Sequence, residues 1–191
     1  MGKHVEYRPE WVREDFIDFL AEKVNPLWAW KKSKARIVAK HHLSDDFVYM
    51  QLQPNHHFKA TDYQAGQSIL VTVLIAGVRW QRSYSIVEII ENGNLVIAVK
   101  QQGKVSNALT QQPVKSVVEI SQTQGEFVLK SQPHSALMIA SGSGITAIYA
   151  LINAALKRPQ TVSNIDLIYF TRDDSFHAEL QQLTEHYPQF K

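Results

Sequence analysis

The feature that most constrains this chain is a switch of hydrophobic period near Pro133. Before it, apolar and β-branched residues come in short runs at 35–40, 47–52, 68–75, 78–87, 95–101, 116–120 and 126–129, separated by turn residues such as Ala76-Gly77 and Asn92-Gly93. After it come an apolar strand at 136–140, a Gly-rich turn, a helical run at 145–157, a second strand at 165–170 and a helical segment from Ser175. Short runs joined by tight turns pair antiparallel, and six or so of them predict a small closed barrel. Strand, helix, strand predicts a parallel unit, and two parallel strands alone are too thin to bury both faces. The expected fold class is therefore a β barrel plus α/β: a six-stranded antiparallel barrel followed by a partial parallel α/β domain.

Two further segments complete the organisation. Residues 103–111 read as a short helix inserted between strands, with Gly103 and Ser106 at its start to serve the exposed amides. Residues 9–24 carry Trp11, Val12, Phe16, Phe19, Leu20 and Val24 at helical spacing and stop near Asn25 and Pro26, which predicts an amphipathic helix. The boundaries expected are 1–32 for helix and linker, 33–132 for the barrel and 133–191 for the partial α/β domain.

Composition excludes more than it selects. Of 191 residues, 45% are hydrophobic, which supports a packed core and excludes a disordered chain. With 20 Lys+Arg against 18 Asp+Glu and no stretch of five or more like charges, charge balance names no nucleic-acid partner. The absence of cysteine excludes a thiolate-bound zinc, an iron–sulfur cluster and a catalytic thiol within the chain, so redox chemistry would need a borrowed cofactor. The uncharged stretch 135–156 is long enough to span a bilayer. Ser141, Gly142, Ser143, Gly144, Thr146 and Asn153 interrupt it, and it reads as buried strand, turn and helix rather than transmembrane. No secretory signal is evident at the N-terminus, so a cytoplasmic location is expected.

The candidate chemistry sits at two places. Gly142-Ser143-Gly144-Ile145-Thr146-Ala147 is a G-x-G-x-x-A turn between an apolar strand and a helix, where free amides and the helix dipole can hold a pyrophosphate. The acid that a ribose-binding fingerprint wants at the end of the second strand is missing. Thr171 and Arg172 stand there, with Asp166 before the strand and Asp173 after Arg172; an arginine there would suit the 2′-phosphate of NADPH, and an ordinary surface arginine is the more common explanation. Arg82-Ser83-Tyr84-Ser85 ends a strand, and a guanidinium beside a phenol can grip a phosphate while offering a flat surface for stacking. No G-x-S-x-G elbow or Walker lysine is present, and the pairs His41-His42 and His56-His57 point to opposite strand faces, so no metal site is expected.

Ala65-Gly66-Gln67, Arg82-Ser83-Tyr84-Ser85, Val99-Lys100, Gly103-Lys104-Val105-Ser106, Gly125-Glu126-Phe127 and Gly142-Ser143-Gly144-Ile145-Thr146 together resemble the ferredoxin–NADP reductase superfamily in order and spacing across residues 35–170. The run Val24-Asn25-Pro26-Leu27-Trp28, followed by Ala35-Arg36-Ile37, further resembles bacterial reductases that serve membrane acyl desaturases.

The resemblance implies a Greek-key flavin barrel followed by a nucleotide-binding domain, with FAD as cofactor, FMN left open, and NAD(P)H as hydride donor. It implies that Arg82 binds flavin phosphate, that Tyr84 packs on the isoalloxazine ring beside Ser83, and that Ser85 lies near flavin N5. Val99 and Lys100 would line the flavin, and Gly103, Lys104, Val105 and Ser106 would hold the pyrophosphate. Thr146 would lie near the flavin, Gly142, Ser143 and Gly144 would face the nicotinamide dinucleotide, and Arg172 would contact its adenosine end. The implied acceptor is a ferredoxin or another iron–sulfur domain.

Ala147 stands where the family usually has proline, and the family's Cys-Gly motif and C-terminal aromatic region have no counterpart before Lys191. The expectation is a flavin domain with roughly half a nucleotide domain, acting as an NAD(P)H-dependent reductase. The alternatives are a non-catalytic flavin-binding docking module and a ferric-chelate reductase.

Overall fold

The computed structural model describes residues 20, 23–28, 32–129, 134–157 and 163–191. Its barrel strands are β1 (Lys34–His42), β2 (Phe47–Pro54), β3 (Ser68–Ile75), β4 (Val78–Ile89), β5 (Leu95–Lys100) and β6 (Val117–Ile120). All pair antiparallel, in the closed order β1-β2-β5-β4-β3-β6. Alternation along each strand sends one set of side chains inward: Ile37, Met50, Leu52, Ile69, Val71, Ile86, Leu95, Ile97 and Val99 form one buried core. Ala76 and Gly77 both have positive φ, of 50° and 76°, which is the backbone a two-residue hairpin needs between Ile75 and Val78.

The expected strand at 126–129 does not form. Both edges of β6 are taken, by β1 and by β3, so closure leaves no edge to extend. The chain there crosses the barrel wall through a single bridge of Ser68 to Gln124, and Phe127 lies exposed. The expected helix at 9–24 falls almost wholly outside the described residues.

Helix α1 (Lys104–Gln111) leaves the end of β5 and turns back towards the barrel wall. Beyond the barrel, β7 (Ser135–Ser141) and β8 (Asn164–Phe170) pair in parallel, with α2 (Ile145–Leu156) as the crossover and α3 (His177–His186) after β8. Residues 189–191 add further parallel pairing to β8 through Ile165 and Leu167. One face of this sheet is buried against α2, and α2 in turn packs Ile148, Leu151 and Ile152 on Phe47, Val87 and Ala98 of the barrel wall. The other face leaves Leu137, Ile139, Ile168 and Phe170 exposed. None of the described helices is long and apolar enough to cross a membrane.

Gly66 lies where the chain at Phe127 and α2 both press on the barrel. Its φ is +94°, and a Cβ there would fall 2.0 Å from the Phe127 carbonyl oxygen, with Leu151 of α2 beside it. Gly77 also has positive φ but faces open space. Gly66→Ala should therefore cost about 2–3 kcal/mol, because backbone strain and a backbone clash add, whereas Gly77→Ala should cost about 1 kcal/mol for strain alone. Urea unfolding midpoints at unchanged slope check the difference, and equal losses would refute it.

Candidate functional site

The site is made by two strands that part. β4 and β5 pair from Ile89↔Leu95 only as far as Ile86↔Ile97, after a register shift at Glu88. Beyond that point β4 pairs with β3 alone and β5 with β2 alone. Residues 82–85 thus present an edge with no strand beside it, and all four reach the gap, although alternation would put Arg82 and Tyr84 on one face and Ser83 and Ser85 on the other.

The gap is a cavity of about 450 Å³, within the range of ~300–1,000 Å³ that small-molecule sites span. Arg82, Ser83, Tyr84, Ser85 and Lys100 line it, as do Gly103, Lys104, Val105 and Ser106 from the start of α1 and Ser143, Gly144 and Thr146 from the start of α2. Three of the residues singled out in the sequence fall elsewhere. Val99 is wholly buried in the barrel core, because alternation along β5 gives the cavity Ala98 and Lys100 instead. Gly142 lies just outside, its carbonyl accepting a hydrogen bond from the Tyr169 hydroxyl. Arg172 is exposed beyond the carboxyl end of β8. Trp80, Ala98 and Gln102 also line the cavity and were not singled out.

Two helix N-termini converge on this space. At α1 the Ser106 hydroxyl turns back to accept hydrogen bonds from the Gln102 and Gly103 amides, at 3.2 and 3.1 Å, and donates to the Gly103 carbonyl. That fixes the loop and leaves the first-turn amides of α1 without intrahelical partners. At α2 the Thr146 hydroxyl donates to the Ser143 carbonyl, at 2.9 Å, and pins the glycine turn. Each terminus carries about half a positive charge, and Arg82 and Lys104 add full ones, while the charge of Lys100 is paired with Asp173; no carboxylate stands among the lining residues. The cavity is built for an anion.

Its polar details suit a flat ring joined to phosphates. Tyr84 is half-buried against the barrel core, and burial outweighs the nearby Arg82 to push its phenol up to about 12, so it stays protonated at neutral pH. The Trp80 indole Nε1 is buried against the barrel and has no hydrogen-bond partner, while the Lys104 ammonium lies 4.4 Å from that ring's centroid. Lys100 is held from outside the barrel by Asp173, at 3.0 Å. Asp173 in turn accepts hydrogen bonds from Ser175, Lys100 and Thr171, which hold its carboxyl well below the usual carboxylate range. Open amides and cations beside the aromatic faces of Tyr84 and Trp80 fit a flavin nucleotide.

A sequence model of the oxidoreductase FAD-binding domain matches residues 34–129, half of the chain. The chain belongs to this FAD-binding oxidoreductase family. It is similar to a flavohemoprotein of Burkholderia sp. (strain TH2), 29% identical over 177 residues that cover 89% of this chain and 44% of the relative. It is similar also to an NADPH oxidoreductase of Mycobacterium tuberculosis, 30% identical over 179 residues, covering 87% and 46%. Among solved structures, a ferredoxin NADP+ reductase from Neisseria gonorrhoeae with bound FAD and NADP superposes with a TM-score of 0.68 at 18% identity, over 83% of this chain and 66% of that one. The chain spans less than half the length of either curated relative.

The family match stops before β7, so the barrel is what it covers, and the cavity is the barrel's open end. Within it Ser106 is the keystone of the α1 cradle. Ser106→Ala should cost about 1 kcal/mol of stability, as loss of a helix cap does, and should weaken FAD binding about tenfold by freeing the Gln102–Gly103 loop. Thermal unfolding and quenching of FAD fluorescence measure the two effects; unchanged FAD affinity would show that the loop is not part of the site.

Proposed function

We propose that this chain is the flavin-holding part of an NAD(P)H-dependent reductase that hands electrons to a one-electron acceptor, of which a ferredoxin-type iron–sulfur centre is the favoured kind. The observation that carries the reading is the gap between β4 and β5, faced by two helix N-termini and lined by cations without a carboxylate. When bound there, FAD supplies the ability to accept a hydride and release electrons singly.

The chain's own residues then divide the work. Arg82 and the first-turn amides of α1 hold the pyrophosphate by charge-assisted hydrogen bonds. Tyr84, neutral and half-buried, offers the aromatic face against which the ring system stacks. Ser85 places a hydroxyl at the edge of that ring, and Thr146, with Gly144, borders the same space from the α/β side and keeps the nicotinamide approach narrow. Arg172, beyond the carboxyl end of β8, lies where open α/β sheets bind their ligands, and a guanidinium there suits the 2′-phosphate of NADPH.

A membrane desaturase remains the favoured downstream user on the resemblance of the segment around Val24-Asn25-Pro26, with a cytoplasmic site of action. A second reading, a docking module that holds flavin without turning over, is favoured by the exposed apolar face of Leu137, Ile139, Ile168 and Phe170. Anaerobic mixing of the FAD-loaded chain with NADH and with NADPH separates the two, since bleaching of the flavin absorbance supports the reductase and an unchanged spectrum supports the module. Arg82→Ala should weaken FAD binding by about tenfold to a hundredfold, the loss of one charge-assisted contact. Ser85→Ala should keep FAD and slow its reduction in stopped flow, and an unaltered rate would remove Ser85 from the chemistry.

A further inference from the structure

The α/β unit grips the barrel through the loop that follows β8. Phe176, wholly buried, sits there with φ of 65°, a left-handed backbone that a bulky residue adopts only when its surroundings impose it. Its ring packs edge-on against Phe47 and Tyr49 of β2 and Tyr149 of α2, at 5.3–5.8 Å between centroids. Ser175 meets Ser44, from the β1–β2 turn, at 3.0 Å. Asp173 gathers the loop's own donors, Thr171 and Ser175, and spends its remaining oxygen on Lys100.

Lys100 therefore belongs to two places at once. It lines the cofactor cavity, yet its ammonium is committed to a carboxylate on the other unit and to the Phe47 ring, 5.2 Å away. The Lys100–Asp173 pair is less than a quarter exposed at either end, so water screens it less than a surface pair. One residue before Asp173 is Arg172, at the edge where a pyridine nucleotide would dock.

We propose that Asp173, acting through Lys100, is a positioning residue that couples occupancy of the flavin cavity to the order of loop 171–176, and so presets the nucleotide-docking edge when FAD is bound. The proposal rests on the flavin reading of the cavity. A ligand beside Lys100 restricts that side chain, the restriction passes to the Asp173 carboxylate, and Asp173 holds the loop. Coupling of this kind is reciprocal, so loop order must respond to FAD in the absence of any turnover.

Hydrogen–deuterium exchange on the full chain, with and without saturating FAD, reads this directly, with peptides over 103–107 reporting cofactor binding and peptides over 171–177 reporting the loop. In the wild-type chain FAD should slow exchange in both segments, by about fivefold or more in the loop, the low end of ordinary coupling. Asp173→Asn should keep the protection at 103–107 and lose it at 171–177, and Asp173→Glu, which restores the carboxylate, should regain part of it. A purely structural Asp173 would loosen the loop equally with and without FAD. Loop protection that survives in Asp173→Asn, or that is absent from the wild type while 103–107 is protected, overturns the coupling. Absence of protection in both segments of the wild type overturns the flavin reading and the coupling with it.

Discussion

Everything distinctive in this molecule follows from β4 outrunning its partner. A barrel stays closed because each strand satisfies both neighbours, and here β4 and β5 do so only up to Ile86 and Ile97. The unpaired stretch of β4 carries Arg82 to Ser85, and an exposed strand edge is an invitation for other backbone or ligand polar groups. Because β5 ends at Lys100 and turns at once into α1, the gap is capped by a helix N-terminus rather than by another strand. The same event that opens the barrel thus supplies the field that fills the opening.

The electrostatic arrangement is one-sided by construction. Lys100, Lys104 and Arg82 converge with two helix N-termini, and the one carboxylate that reaches this group, Asp173, approaches Lys100 from the α/β unit and is not among the residues that line the cavity. Arg82 and Lys104 keep their charges turned to an open space, so an anion entering it meets cations and helix N-termini with no carboxylate among the lining residues. Tyr84 and Trp80 supply the opposite character, broad apolar faces with a neutral phenol beside them. A ligand that is aromatic at one end and doubly charged in the middle satisfies both.

Much of this was legible in the sequence, and the rest was hidden for physical reasons. The barrel strands, the Ala76-Gly77 turn, the inserted helix and the strand, glycine turn and helix of the second unit follow from hydrophobic period and turn chemistry. The run at 126–129 reads as a strand because its residues have β propensity, and only closure of the barrel denies it an edge. The resemblance pairs Val99 with Lys100 along the flavin, but neighbours on a strand face opposite ways, so with Lys100 at the cavity Val99 falls in the barrel core. Trp80 looks like any strand residue until its indole N–H is seen to be buried without a partner. In the sequence Asp173 reads only as an ill-fitting ribose acid, because its partner Lys100 is far away along the chain and adjacent only once the α/β unit folds onto the barrel.

The central claim is that the opened end of the barrel recognises the phosphates of a flavin nucleotide and does not merely stack its ring. Titrating the flavin-free chain with FAD, FMN and riboflavin, followed by fluorescence quenching at low and high salt, tests it most directly. The account predicts that FAD binds at least ~100-fold more tightly than riboflavin, the worth of one or two charge-assisted hydrogen bonds, and that salt narrows the gap. Equal affinity for riboflavin and FAD, insensitive to salt, would contradict it.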